Sequence, residues 1–206
     1  MTALARLTHA LDTRVDNIAG WIVMPTLARF AFAAVLLTYF WRSANTKIGD
    51  SFFSIDFGAY AQVLPRVFEN VGFDASQIGF VGRAIVAVGT YSEFILPALI
   101  VVGLLTRLAA LGMIGFVFVQ SYVDLFGHNA WDESVGFWFE AAEEGGPERF
   151  NLGWFDAASG SLIADQRLMW VTVLMILVFR GAGPISLDGL IRLISGAPRS
   201  ASVATA

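Results

Sequence analysis

Four apolar segments of the sequence approach or exceed the length needed to cross a membrane. Three of them, 21–41, 80–105 and 108–126, have close to or more than the roughly 20 residues that span a hydrocarbon core. The fourth, 168–179, reaches that length only when 161–167 is included and its arginine extends its charged end to the interface. We therefore predict an all-α membrane protein, a four-transmembrane-helix bundle.

Shorter segments predict interfacial helices at both ends of the chain and in the outer loops. Leucine, valine and isoleucine recur at helical spacing in residues 1–20, whose aspartates interrupt any signal-peptide core. This segment fits a helix on the membrane surface or, equally, a solvated helix packed on the bundle. Residues 60–68 predict a short interfacial helix in the first loop, or two broken around Pro65. Pro184 ends the fourth span before Ser186 begins another helix.

The charges of the loops predict the orientation. Nine acidic residues and one arginine lie between residues 124 and 165, whereas three arginines and one aspartate follow residue 179. Lysine and arginine favour the cytoplasmic side. We therefore predict a multi-pass protein of the cell (inner) membrane with both termini cytoplasmic.

The remaining boundaries follow from composition. Residues 21–195 are predicted to form the transmembrane domain, and residues 196–206, which are small and polar, a disordered tail. The outer loop 127–160 carries seven aromatic residues among its acidic ones. Aromatic side chains are typical of the headgroup region, and so many also suit a contact with another membrane protein subunit.

The overall composition narrows the class of protein. Hydrophobic residues make up 56% and charged residues 15%, against about 25% charged in soluble domains. Mean hydropathy is +0.66, so the excess apolar surface is expected to face lipid. The absence of cysteine excludes thiolate and iron–sulfur sites in the chain, and two histidines argue against a metal site, so no cofactor site is evident. One lysine and no basic run argue against nucleic acid.

Two charges at membrane depth are the first candidate site residues. Arg29 lies about 12 Å, and Glu93 about 18 Å, from the predicted inner end of its span at 1.5 Å per residue. An extended arginine covers that difference, so we predict an Arg29–Glu93 ion pair. The pair fits either a purely structural contact between two helices or part of a functional cavity.

Three polar residues of the third span extend this candidate site. Gln120, Asp124 and His128 recur every four residues on one helical face, and Gln120 is close in depth to Glu93. We predict that these four residues form a polar cavity opening to the outer face. Carboxylates and an imidazole at this spacing suit a proton relay or a quinone headgroup, although Asp124 and His128 also fit ordinary interfacial positions.

Two sequence runs, 91–111 and 181–188, resemble the DoxX family of membrane proteins. The first has a glutamate within the span, then Gly103 and a Thr-Arg pair at the inner turn; the second has a glycine–proline stretch before Ser-Leu-Asp. The residues that match the family pattern one by one are Arg29, Glu93, Arg107, Gly183, Pro184, Ser186 and Asp188.

The resemblance implies a four-helix bundle associated with membrane redox systems. Its members are linked to thiosulfate:quinone oxidoreduction, terminal quinol oxidase subunits and oxidative-stress complexes. For this chain, which lacks cysteine and has a longer acidic loop, we expect an accessory subunit of a respiratory or other quinone-linked complex, with quinone as the implied ligand. The alternative is a non-enzymatic membrane scaffold or a small-molecule or lipid carrier. A stand-alone oxidoreductase is the least favoured.

Overall fold

The computed structural model describes residues 19–128 and 163–196. Within these ranges the regular secondary structure is helical, with one isolated bridge between Ile48 and Ile55. The all-α class is thus confirmed for the described chain. Its longer helices are α1 (Gly20–Asn45), α2 (Phe57–Val63), α3 (Pro65–Asn70), α4 (Phe80–Val102), α5 (Thr106–Gly127), α6 (Ile163–Arg180) and α7 (Leu187–Ser195), and one short 3-10 helix, Ala75–Gln77, lies between α3 and α4.

Three predicted features fall largely outside the described residues. These are the N-terminal amphipathic segment, the aromatic outer loop and the C-terminal tail, which involve residues 1–18, 129–162 and 197–206. They stay predictions.

Three helices in the described part of the chain are long and apolar enough to cross a membrane. They are α1, α4 and α5, with 26, 23 and 22 residues and mean hydropathies of 1.7, 2.0 and 1.6. These helices identify a multi-pass membrane protein. Helix α6 has 18 residues and carries Arg167 and Arg180, so the prediction that it forms a fourth span stays a prediction.

Local sequence explains where the long helices begin and end. Pro25 lies where the π-helical first turn of α1, Ala19–Val23, passes into regular α-helix, and its fixed φ suits the start of that α-helical stretch. Helix α4 ends at Gly103, which has φ of 77°, and Leu105 also has a positive φ of 50° before α5 begins. This short left-handed turn reverses the chain, so α4 and α5 run antiparallel.

The four long helices pack in a ring. Helix α5 lies between α4 and α6, while the first half of α1 packs against α6 and its second half against α4. Large apolar side chains also point outward on every helix, which suits a lipid environment. The inward-facing core includes Phe32, Phe40, Ile100, Met113, Leu174 and Leu177, and the outward-facing set includes Phe30, Val35, Val88, Leu108, Phe118, Met169 and Phe179.

The segment between α1 and α4 folds over one end of this ring. Its centre is Phe68, fully buried and in ring contact with Phe57, Tyr60 and Phe73. Asp56 begins α2 by accepting a hydrogen bond from a backbone N–H. The segment therefore has a small aromatic core of its own, and it forms the roof of the cavity described next.

A candidate ligand-binding cavity

A cavity of about 750 Å³ lies among α1, α2, α4 and α5. This volume is within the range of small-molecule sites, roughly 300–1,000 Å³. We call this part of the molecule the cavity end; it is where α1 and α5 end and α4 begins. The polar residues that line the cavity are Tyr39, Ser43, Lys47, Gln62, Ser92, Glu93, Gln120, Asp124 and His128.

A buried ion pair forms part of the cavity wall. Lys47 Nζ lies 2.6 Å from Glu93 Oε1 and donates a second hydrogen bond to Ser43 Oγ at 2.8 Å. Lys47 and Glu93 are only 5% and 3% exposed. Both charges have left water, so removing one partner alone would strand the other at a typical cost of about 3–5 kcal/mol.

The predicted Arg29–Glu93 pair is wrong, because Lys47 is the partner of Glu93. Lys47 follows α1 directly, and the chain then returns through the bridge that joins Ile48 and Ile55. A hydrogen bond from the Asp56 backbone N–H to the Lys47 carbonyl, 2.9 Å long, closes this loop. Because the loop is closed in this way, the side chain of Lys47, the only lysine of the chain, lies between the helices.

Arg29 lies at the opposite end of the bundle. Its guanidinium donates to the carbonyls of Ile100 at 3.1 Å and Ala182 at 3.2 Å, and also to those of Val101 and Ile185. These carbonyls belong to the end of α4 and to the link after α6, where helices leave carbonyls without intrahelical partners. Arg29 reaches these carbonyls and not Glu93, because Glu93 lies two helical turns before Ile100 on α4.

Several residues that carry the DoxX resemblance meet Arg29 at this end, which we call the clamp end. The Asp188 carboxylate accepts from the N–H groups of Leu105 at 2.9 Å and Thr106 at 3.0 Å, so it caps α5. Ser186 caps α7 through the Gly189 N–H at 2.9 Å.

Glycine is required at position 103, because neighbouring side chains of the clamp end leave no room for a Cβ. A Cβ at Gly103 would lie 2.5 Å from the Ser186 Cβ and 3.0 Å from Cζ of Arg29. Nearby, Gly181 faces the Arg107 side chain, and Gly183 faces Pro25. Pro184 lies in the same link between α6 and α7. These matched positions therefore have structural roles at the clamp end, and of the matched set only Glu93 lines the cavity.

The other predicted site residues are brought together around the cavity. Gln120 Nε2 donates to the Tyr39 hydroxyl at 3.2 Å, and its Oε1 is buried with no partner among the described residues. Asp124 accepts from Arg167 of α6. The His128 ring bonds the Gln62 carbonyl through Nε2 at 3.0 Å, so α5 is joined to the roof.

The apolar wall of the cavity is continuous with the lipid-facing surface. Phe80 and Val88 of α4 and Val119 of α5 line the cavity, yet they are 80%, 66% and 59% exposed. Deeper in the bundle the same two helices close together, where a Cβ at Gly112 would touch Leu96. The cavity therefore has a polar interior and a lateral apolar opening between α4 and α5.

Sequence reasoning did not single out Lys47, Ser43 and Tyr39 as site residues. A usable signal was present, since Ser43 precedes Lys47 by one helical turn and Lys47 is the only lysine of an apolar chain. As regards metals, no group of three or more potential metal-ligating side chains converges within the described ranges.

Comparisons of this chain with known protein families, with curated proteins and with solved structures found no match. The cavity is therefore the feature of this chain that points to a function.

Proposed function

We propose that this chain is an accessory membrane subunit of a quinone-linked redox complex and that its cavity binds the quinone headgroup. The observation that carries the proposal is that one cavity combines the Lys47–Glu93 pair in its interior with an apolar wall open to lipid. A quinone divides in the same way, into an oxygen-bearing ring and a hydrocarbon tail. The resemblance of residues 91–111 and 181–188 to the DoxX family favours the same association.

The composition of the chain supports an accessory role. Without cysteine and with two histidines, it has few of the ligands that iron–sulfur or haem centres need. In the proposed complex, electrons therefore reach the quinone from another subunit. The aromatic loop 127–160 is the proposed contact with that subunit, since aromatic residues are enriched in protein interfaces.

The proposed topology has four spans, both termini in the cytoplasm and the inner membrane as its location. Helix α6 packs along α5 and α1, two helices of spanning length, which supports its crossing the membrane beside them. The pairing of Arg167 with Asp124 lowers the cost of placing that arginine near the membrane.

Two glycines provide a test of the cavity. Gly89 lines it, and a Cβ there meets no atom within 4 Å, so leucine fills space without a backbone clash. Gly115 offers the same freedom but does not line the cavity. Both changes also remove a helix-disfavouring glycine, so both variants are expected to fold.

The measurement is binding of decylubiquinone to the purified protein in lipid nanodiscs, together with mass spectrometry of quinones that copurify. We expect saturable binding to the unmodified protein, at least tenfold weaker binding to Gly89→Leu, and unchanged binding to Gly115→Leu. Equal binding to all three proteins, or none to the unmodified one, would contradict the proposal.

A lipid carrier is the second candidate, because the opening between α4 and α5 also suits an acyl chain. Saturable phospholipid binding that Gly89→Leu abolishes, with no quinone binding, would favour the carrier. A blocked cavity that changes neither binding nor the activity of the host complex would favour a scaffold.

A further inference from the structure

The hydrogen-bonding groups of the ion pair restrict what the cavity can hold. Glu93 Oε1 is occupied by Lys47, and Oε2 is buried and accepts no hydrogen bond of ordinary geometry from the described residues, although the Ser43 hydroxyl lies beside the same carboxylate. A carboxylate in an ion pair has acceptors only. The free oxygen therefore calls for a donor on the ligand.

Lys47 offers the complementary group beside it. An ammonium has three N–H groups, and two of them are used toward Ser43 and Glu93. One N–H group of Lys47, a donor, and Oε2 of Glu93, an acceptor, thus remain side by side in the cavity wall. A hydroxyl satisfies both, because it donates and accepts, whereas a carbonyl oxygen or an ether oxygen only accepts.

We infer that the cavity recognises a hydroxyl-bearing headgroup on a hydrocarbon chain. The hydroxyl donates to Glu93 Oε2 and accepts from Lys47 Nζ, and the chain leaves between α4 and α5 past Val88 and Val119. A membrane contains two sources of this chemistry, the reduced form of a quinone and a hydroxylated lipid. For the first source the inference rests on the proposed function, and it means that the reduced form binds more tightly than the oxidised form.

The test compares four probes on the purified full-length protein in nanodiscs, under anaerobic conditions. Decylubiquinol, decylubiquinone and the dimethyl ether of decylubiquinol share ring and tail but differ in hydroxyl groups; monodecanoylglycerol has hydroxyls and no quinone ring. A hydrogen bond to a charged group typically contributes enough for about a tenfold or greater difference in dissociation constant. We expect decylubiquinol to bind at least tenfold more tightly than decylubiquinone or the ether.

A variant of Glu93 tests whether this residue causes the tighter binding of quinol than of quinone. Glu93→Gln should bring the dissociation constants of quinol and quinone within about twofold, while Thr90→Val should leave the preference intact. Thr90 is buried on the same helix but does not line the cavity. The ether comparison needs no variant, so the inference stays testable if Glu93→Gln does not fold.

The outcomes separate this inference from the proposed function. If quinone and ether bind as tightly as quinol, the hydroxyl inference is wrong and the proposed function stands. If only monodecanoylglycerol binds, and Gly89→Leu weakens it, the hydroxyl inference stands and the quinone proposal is wrong. If no probe binds to the unmodified protein, both are wrong.

Discussion

Replacing Lys47 with methionine and Glu93 with glutamine, singly and together, measures the strength of the buried ion pair. The two groups are 2.6 Å apart and almost fully buried, so each single change leaves an unpaired charge out of water. Such a change typically costs about 3–5 kcal/mol, whereas replacing both charges with neutral groups costs far less. The double variant should therefore be more stable than either single one, with a coupling energy of about 3 kcal/mol.

The assay is reversible unfolding in mixed detergent micelles, followed by circular dichroism, for the four proteins of this double-mutant cycle. The matched control is a second cycle of Arg29→Met with Glu93→Gln. Arg29 bonds backbone carbonyls at the clamp end and not Glu93, so its effect should add to that of Glu93 within about 0.5 kcal/mol. Additivity in the first cycle, or strong coupling in the second, would refute the assignment of Lys47 as the partner.

Three further predictions concern the clamp end and the topology. Gly103→Ala should destabilise the protein by at least about 2 kcal/mol, because φ at this position is positive and the new Cβ would collide with Ser186 and Arg29. The control Gly115→Ala should be neutral or stabilise the protein by up to about 1 kcal/mol. Thermal unfolding measures both variants. Asp188→Ala should cost about 1–2 kcal/mol in the same assay, because α5 loses its cap; an unchanged stability would contradict that role. In the proposed orientation, a cysteine at Asn70 should react with an impermeant maleimide added outside intact cells, and one at Ser195 should not; the reverse pattern would invert the topology.

Local sequence features predicted the framework of the fold. The apolar runs identified α1, α4 and α5, and their observed ends lie within a few residues of the predicted ones. Ser186 was predicted to begin the last helix and does so through its own side chain. These features depend on neighbours within one or two helical turns, which a sequence displays directly.

The site was only partly predictable, because its contacts are distant in sequence. Helical spacing grouped Gln120, Asp124 and His128, and their common cavity with Glu93 agrees with that spacing. The Lys47 contact depends on how the loop after α1 folds, and that fold is held by Phe52 packing on α4. Estimating the depth of each residue along a straight helix cannot predict that the chain turns back after α1 and brings Lys47 to Glu93.

The helices are held together more closely at the clamp end of the bundle than at the cavity end, and this difference affects how they can move. Arg29 ties α1 to the ends of α4 and α6, whereas at the other end α4 and α5 are separated by the cavity. About 15 residues of α4 separate Val88, at the opening, from Gly103, where the chain turns into α5, a length of roughly 22 Å. A tilt of α4 by about 5° at that turn would therefore displace Val88 by about 2 Å, comparable to half the width of a hydrocarbon chain. Small rotations of α4 relative to α5 would thus widen or narrow the lateral opening without unfolding any turn of helix, and the Lys47–Glu93 pair would keep the end of α1 on α4 as it moves.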